Sequence, residues 1–461
     1  MSLGWSNSSI SSDLPRTPPG PSPRELLPRI RSMQRDPLSF LLEMSERFDK
    51  ITYFRAGKMP VYVIHHPDGI KHVLQEQPRR YSKDTIQYRS LATITGKGLL
   101  TSDGSFWLRQ RRLAQPAFAK HRLLELASIV VPATQVMLTR WAEVASARGQ
   151  LDVDDEMMKV ALEVVGKALF GIDLSRDAPL LARAILFALD HVVHRARNIV
   201  VAPAFVPTPA NLRFRAALRT LDSAVYGFMR ERRQTGRLGE DLLGMLLEAR
   251  DETTGEAMTD VQIRDEILTM LIAGHETVAA ALTWSWYLLA QNPDCRRRLH
   301  EESVNVLGER DPTGADIERL SYAGQVFSEA LRLYPPAWVI TRKAIQNDEI
   351  FGYPIARGAL IIMSPYVIHR LPSFWKDAET FFPGRFEIEA ESEQHRYGYI
   401  PYGAGPRTCI GNHFAETEAK LILAMVSRQF WLDFVPGKLP AITPLVTLRP
   451  LGGLRMHPRQ H

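Results

Sequence analysis

Apolar residues recur at helical spacing over most of this chain. From about residue 105 to 305 the pattern predicts almost continuous helix, broken by short loops at Pro203 to Pro209 and Asp251 to Gly255. One helix stands out. Thr259 and Asp260 are good cap residues, and the pattern behind them continues to about Gln291. At roughly 1.5 Å per residue this helix crosses most of a domain. Another helix ends near Tyr334, where Pro335-Pro336 stops it. Strand-like pieces are short: Thr52 to Ile64, Val339 to Ala344, Ile350 to Tyr353, Leu360 to Met363, and a β-rich tail from Thr443 to Met456. Between Pro372 and about Pro406 the chain reads as irregular, and a last helix begins just after Cys409. No internal repeat is present.

The two ends differ from the rest at the start only. Met1 to Arg16 is polar and Ser-rich and is expected to be disordered; Thr17 to Pro23 is Pro-rich and extended. The prediction is a mainly α chain with a small β-rich part, forming one large domain over 17–461.

Composition narrows the class. The chain has 461 residues, 45% apolar and 23% charged, the profile of a soluble globular protein with a sizeable core. A net charge of +6 over this length does not imply nucleic acid. No basic region followed by an apolar stretch opens the chain, so no signal peptide is expected. No segment carries the roughly 18 uncharged apolar residues of a spanning helix. The most apolar long run, Ile267 to Ala290, has His275 and Glu276 in its interior, which argues for a buried helix and against a membrane anchor. Two cysteines, Cys295 and Cys409, are too few for a disulfide framework and lack zinc-site spacing. A reducing, cytoplasmic location is expected, with Cys295 a bystander.

Cys409 is different. It lies in Tyr402-Gly403-Ala404-Gly405-Pro406-Arg407-Thr408-Cys409-Ile410-Gly411. Two glycines and a proline force a tight backbone before it. A helix directly after it aims free N–H groups at the sulfur, a setting expected to lower the thiol pKa, and Arg407 adds positive charge. A lone cysteine is more often inert, but the fixed offsets of the glycines, Pro406 and Arg407 count against that here.

This segment resembles the haem-binding loop of the cytochrome P-450 family, F-x-x-G-x-R-x-C-x-G. Tyr402 stands where the pattern has Phe; it keeps the aromatic ring and adds a hydroxyl that needs a partner. Ala273-Gly274-His275-Glu276-Thr277 resembles the family's oxygen-activation motif, A-G-x-[DE]-T. Glu329-Ala330-Leu331-Arg332 resembles E-x-x-R, with Arg385 of Phe382-Pro383-Gly384-Arg385-Phe386 as the third member of a structural cluster. Trp107-Leu108-Arg109-Gln110-Arg111 resembles the W-x-x-x-R helix.

The resemblance implies a single P-450-like domain with its long central helix over haem b (iron protoporphyrin IX). Cys409 would be the iron ligand, and Trp107, Arg111, Ala273, Arg342, Tyr402, Arg407 and Gly411 would also bind the cofactor. Glu276 would relay protons and Thr277 would hydrogen-bond dioxygen. Glu329, Arg332 and Arg385 would serve folding. Substrate contacts would come from Ile94, Ala273, Ala337, Val339 and Ile340, whose apolar character suits a fatty acid, terpenoid or steroid. The activity implied is a monooxygenase, a monomer fed by an external ferredoxin or flavodoxin with its reductase, steered to Arg109, Arg112, Lys120 and Arg122. A peroxide-using or peroxide-rearranging relative is the alternative; such members typically lack the Glu276-Thr277 pair. A non-enzymatic haem-thiolate sensor would leave that pair idle.

Overall fold

Prolines open much of the helical framework. Pro23, Pro37, Pro209 and Pro293 each begin a helix, Pro23–Arg35, Pro37–Arg47, Pro209–Thr235 and Pro293–Leu307. There the missing N–H costs nothing and the fixed φ favours the first turn. This computed structural model describes residues 17–174, 178–197, 202–236, 239–250, 255–387, 396–437 and 440–461. The expected disorder of 1–16 and most of the loop at Asp251 to Gly255 lie outside the described residues.

The long helix spans Asp260–Gln291 and starts with a capping box between Thr259 and Gln262. Its most extensive partner is the Val153–Phe170 helix. Two apolar cores share it. Ile263, Ile267, Leu268, Met270, Leu271 and Ile272 belong to one, with Leu162 and Val165. Val278, Leu282, Trp286 and Leu289 belong to the other, packed against the helices Ala127–Ser146, Ser321–Leu333 and Asn412–Gln429. Each fully buried Ile or Leu contributes about 1.5–3 kcal/mol. Residues Ala273 to Thr277 fall at the seam between the two cores.

A five-stranded sheet orders the strands Ile51–Ala56, Met59–Ile64, Leu360–Met363, Ile340–Ala344 and Tyr81–Ser82. Met59–Ile64 pairs with Leu360–Met363 in parallel, and the other neighbours are antiparallel. The sheet thus joins the start of the chain to the segment beyond Pro335-Pro336. It carries Arg342 and presents Lys83 just after its edge strand.

Three expectations need correction. Ile350 to Tyr353 is not a strand but the turn of a hairpin between Asp348–Ile350 and Tyr353–Ile355. Phe351 (φ 56°) and Gly352 (φ 76°) both sit in the left-handed region, the conformation that lets a two-residue turn match strand twist. The tail also holds an unforeseen strand, Phe430–Phe434, paired with Arg455–Gln460 directly after the last helix. Finally, His121–Ser146 and Asp260–Gln291 are long and apolar enough to cross a membrane by length and composition. Mean hydropathy tolerates the few charges that a strict uncharged run does not. The second of these helices is 83% buried over its most apolar window, as a core helix is.

Candidate active site

The loop before Cys409 is shaped by two glycines. Gly403 and Gly405 both have φ 70°, where only glycine sits without strain. A 3-10 turn follows over Gly405–Arg407, and the Cys409 N–H donates to the Tyr402 carbonyl at 2.9 Å. The loop therefore closes on itself ahead of the sulfur. The following helix starts at Asn412 with Gly411 as its N-cap, and the Gly411 N–H is directed at the Cys409 sulfur.

Cys409 is exposed by accessible surface, yet burial is the largest influence on its thiol. Both observations hold when the sulfur lines a recess, with its own surface open and protein around it. Burial pushes the thiol above its ordinary value, while the Gly411 N–H and the Arg111 guanidinium pull it down. The expected lowering by the helix terminus is thus corrected: the helix begins three residues on, and desolvation outweighs it. A metal cation at the sulfur reverses that balance, because coordination favours thiolate.

Cations gather nearby. Lys83, which the sequence reading missed, is buried; its ammonium donates to the Leu100 carbonyl at 2.8 Å and lies 4.6 Å from the Tyr88 ring centroid. Burial, then Arg342 and Arg407, hold its pKa well below the ordinary lysine value. Arg407 donates to the Ser102 carbonyl at 2.8 Å and to Asp103, and its guanidinium stacks 4.2 Å from the Trp107 ring centroid. Burial lowers its pKa to about 10. One of its nitrogens, Nη1, is buried with no partner. Arg342 is buried and donates to the Thr341 carbonyl at 2.8 Å. Arg111 donates to the Thr408 carbonyl at 3.0 Å, against the cysteine loop. Asp103 is the carboxylate that answers Lys83 and Arg407. Surplus buried positive charge, an orphaned Arg407 N–H and an open sulfur fit a dianionic, metal-bearing macrocycle. The Tyr402 hydroxyl is buried and makes no hydrogen bond of good geometry, although the Glu416 carboxylate is its charged neighbour.

At the seam of the central helix, Thr277 donates its hydroxyl to the Ala273 carbonyl at 2.7 Å. Such a back-bond competes with the helix ladder. Both residues keep part of their surface open. A Cβ on Gly274 would meet the Val165 side chain at 3.0 Å, so the glycine admits the Val153–Phe170 helix. Glu276 is buried and accepts from the Thr447 hydroxyl at 2.9 Å. Burial raises its pKa to about 7 against the opposing pull of Arg449 and Thr447. His275 is fully buried; burial lowers its pKa to about 4, and its Nδ1 pairs with the Leu271 carbonyl at 2.6 Å.

The remaining residues divide. Glu329 and Arg332 are both fully buried and paired twice, at 2.7 and 2.8 Å, and Arg385 joins the same carboxylate at 2.9 Å. Arg332 also donates to the carbonyls of His369 and Ala378. Ile340 and Val339 lie on and beside the sheet strand that carries Arg342, and Ala337 is exposed. Ile94 has no open surface and packs in the core with Leu99 and Met270, so contact with a ligand there requires the side chain to move. On the basic face, Arg112 is exposed, Arg109 donates to the Glu256 carbonyl, and Arg122 is 3.5 Å from Glu240. The side chain of Lys120 lies outside the described residues.

A cysteine on a glycine-bent loop, cations around its recess and an acid–threonine pair at a helix seam define a haem-thiolate site. The family model described as cytochrome P450 matches residues 18–454. Cyclooctatin synthase from Streptomyces melanosporofaciens is 37% identical over 92% of each chain. Pentalenene oxygenase from Streptomyces avermitilis is 33% identical over 88% of each. Cyclooctat-9-en-7-ol 5-monooxygenase from Streptomyces melanosporofaciens is 32% identical over 91% of this chain and 90% of that one. The crystal structure of CYP175A1 from Thermus thermophilus superposes with a TM-score of 0.78 at 30% identity, covering 96% of this chain and all of that one. The chain belongs to the cytochrome P450 family and is an oxidoreductase, a haem-dependent monooxygenase.

Proposed function

We propose that this enzyme inserts one oxygen atom of O2 into a C–H or C=C bond of an apolar small molecule, using haem b held by Cys409. Two relatives are named for pentalenene and for cyclooctat-9-en-7-ol, which favours a cyclic terpenoid over a fatty acid or steroid. Electrons come from a separate ferredoxin or flavodoxin and its reductase, docking near Arg112 and Arg122. The enzyme works as a cytoplasmic monomer, with residues 17–461 as one domain.

When bound, the haem supplies the oxygen and redox chemistry. The chain's residues do the rest. The Cys409 sulfur provides a thiolate ligand, with the Gly411 N–H and Arg111 steadying its charge. Lys83, Arg342 and Arg407 would hold the two propionates by charge, and the Trp107 ring lies against the Arg407 guanidinium. Glu276, with a pKa near neutrality, holds a proton at its carboxyl and can release it at working pH. The Thr277 hydroxyl, fixed on the Ala273 carbonyl, offers its oxygen lone pairs on the half-open side of the seam.

The observation that carries this reading is the open Cys409 sulfur with Lys83, Arg111, Arg342 and Arg407 gathered about it and Asp103 as the carboxylate that answers Lys83 and Arg407. The test is the absorption spectrum of the reduced protein with carbon monoxide. The thiolate-type band is expected in the wild type and absent in Cys409→Ser; an unchanged spectrum in the variant would remove the reading.

A further inference from the structure

The central helix has a second buried acid beside Glu276, contributed by another element. Asp154, in the first turn of the Val153–Phe170 helix, is buried. It accepts from the Thr283 hydroxyl at 3.4 Å and is ion-paired with Arg449. Thr283 lies seven residues beyond Glu276, two turns along the same face. Arg449 comes from the tail strand Leu448–Pro450, two residues after Thr447, whose hydroxyl bonds Glu276. The Arg449 guanidinium acts on Asp154, Glu276 and His275 together. These are the charged neighbours that face Glu276 from its own helix, the Val153–Phe170 helix and the tail.

The far side of this pair is open. A recess of about 470 Å³ is lined by Asp154 and Arg449, with Asp155, Lys159, Arg183 and Leu186 among its other walls. It lies between the Val153–Phe170 and Ala178–Arg197 helices and the tail. A buried ion pair that only stapled the tail would be expected to be sealed on all sides. This one has bulk solvent on one flank and the oxygen-motif acid on the other.

We propose that this recess is the solvent entry through which Glu276 is reprotonated, with Asp154 as the proton carrier and Arg449 as the residue that positions it. The inference rests on Glu276 acting as a proton donor, as proposed above. When the Glu276 carboxyl releases its proton toward Thr277, its carboxylate takes one back through the Thr447 hydroxyl or a water held by Arg449. Asp154, a carboxylate in its ion pair with Arg449, first takes that proton from solvent in the recess and then passes it on. One proton crosses, and every group returns to its starting state.

The experiment follows the Glu276 proton and needs neither substrate nor redox partner. Infrared spectra of the resting holoenzyme at about pH 6, below the raised pKa, are recorded for wild type and Glu276→Gln. The carboxylic band missing from the variant belongs to Glu276, and the shift of that band is timed after mixing with D2O. Wild-type exchange is expected within seconds. Leu186→Trp adds bulk to the recess wall while Asp154 and Arg449 are both kept. Asp154→Asn removes the proton carrier but leaves Arg449 uncompensated, which destabilises a buried site. Each is expected to slow exchange by at least about tenfold. Exchange as fast as wild type in Leu186→Trp overturns the proposal. So does a wild-type band that resists exchange for hours, or no band lost in Glu276→Gln. The carbon monoxide spectrum of each variant is recorded alongside, so that loss of the haem–thiolate site is seen separately.

Discussion

Gly405 passes so close to Leu74 that a Cβ on the glycine would lie 1.9 Å from the Leu74 carbonyl oxygen. Its φ of 70° adds a second constraint. Gly405→Ala must therefore move the loop that ends at Cys409. Strain in the left-handed region alone costs about 1–3 kcal/mol, and the backbone clash adds to it. The expected result is a folded protein with several-fold less haem per chain, read as the ratio of Soret to protein absorbance.

Glu329 and Arg332 have no accessible surface and answer each other's charge. Removing one partner of such a pair costs about 3–5 kcal/mol, because the other is left buried and unpaired. Arg332→Ala is expected to yield little soluble protein or a large fall in Tm. Arg385 sits at the edge of the cluster, and Arg385→Lys is expected to cost less because a single charge can still reach the shared carboxylate. Equal Tm losses would contradict this ranking.

Lys83 should show opposite signs in the two states. Without haem, its charge is opposed by burial, Arg342 and Arg407, which together outweigh the pull of Asp103. Lys83→Met is expected to raise the Tm of the haem-free protein. With haem bound the same change removes a partner of the propionates, so haem transfer to excess apomyoglobin should accelerate. Movement of both readouts in the stabilising direction would exclude Lys83 from the haem site.

Two buried glutamates tie stability to pH. Burial raises Glu276 and Glu266 to about 7 each, from an unfolded value of 4.5. A raised carboxyl keeps its proton longer in the folded state. Its contribution is fully present below pH 4.5 and is lost as pH rises through about 7. At 1.36 kcal/mol per unit, each loss is at most about 3 kcal/mol. Glu266 also accepts the Leu99 N–H at 3.0 Å, which ties the loop after Ile94 to the central helix. Glu266→Gln is expected to flatten the fall in urea stability between about pH 5 and 8. An unchanged slope would show that Glu266 titrates normally.

Much of this was legible in the sequence, for a physical reason. The helices announce themselves because one apolar stripe per helix must face a core, and Thr259 and the prolines mark their starts. The cysteine loop is legible because its glycines have no substitute at positive φ. The Glu276-Thr277 pair and the Glu329 cluster lie within short motifs. Lys83, Asp103, Asp154 and Arg449 were not legible. Each reaches its neighbours across long stretches of chain, as Arg407 does to Asp103 and Asp154 to Arg449. No local spacing records such a meeting. The Phe351-Gly352 turn was misread because alternation persists through it, although Gly352 was the available signal.

The division of the central helix between two interiors has an evolutionary meaning. Ala273 fills neither apolar cluster, so exchanging it perturbs little packing on either flank. A lineage could retune what this enzyme oxidises at that position while the scaffold's fitness stays nearly constant.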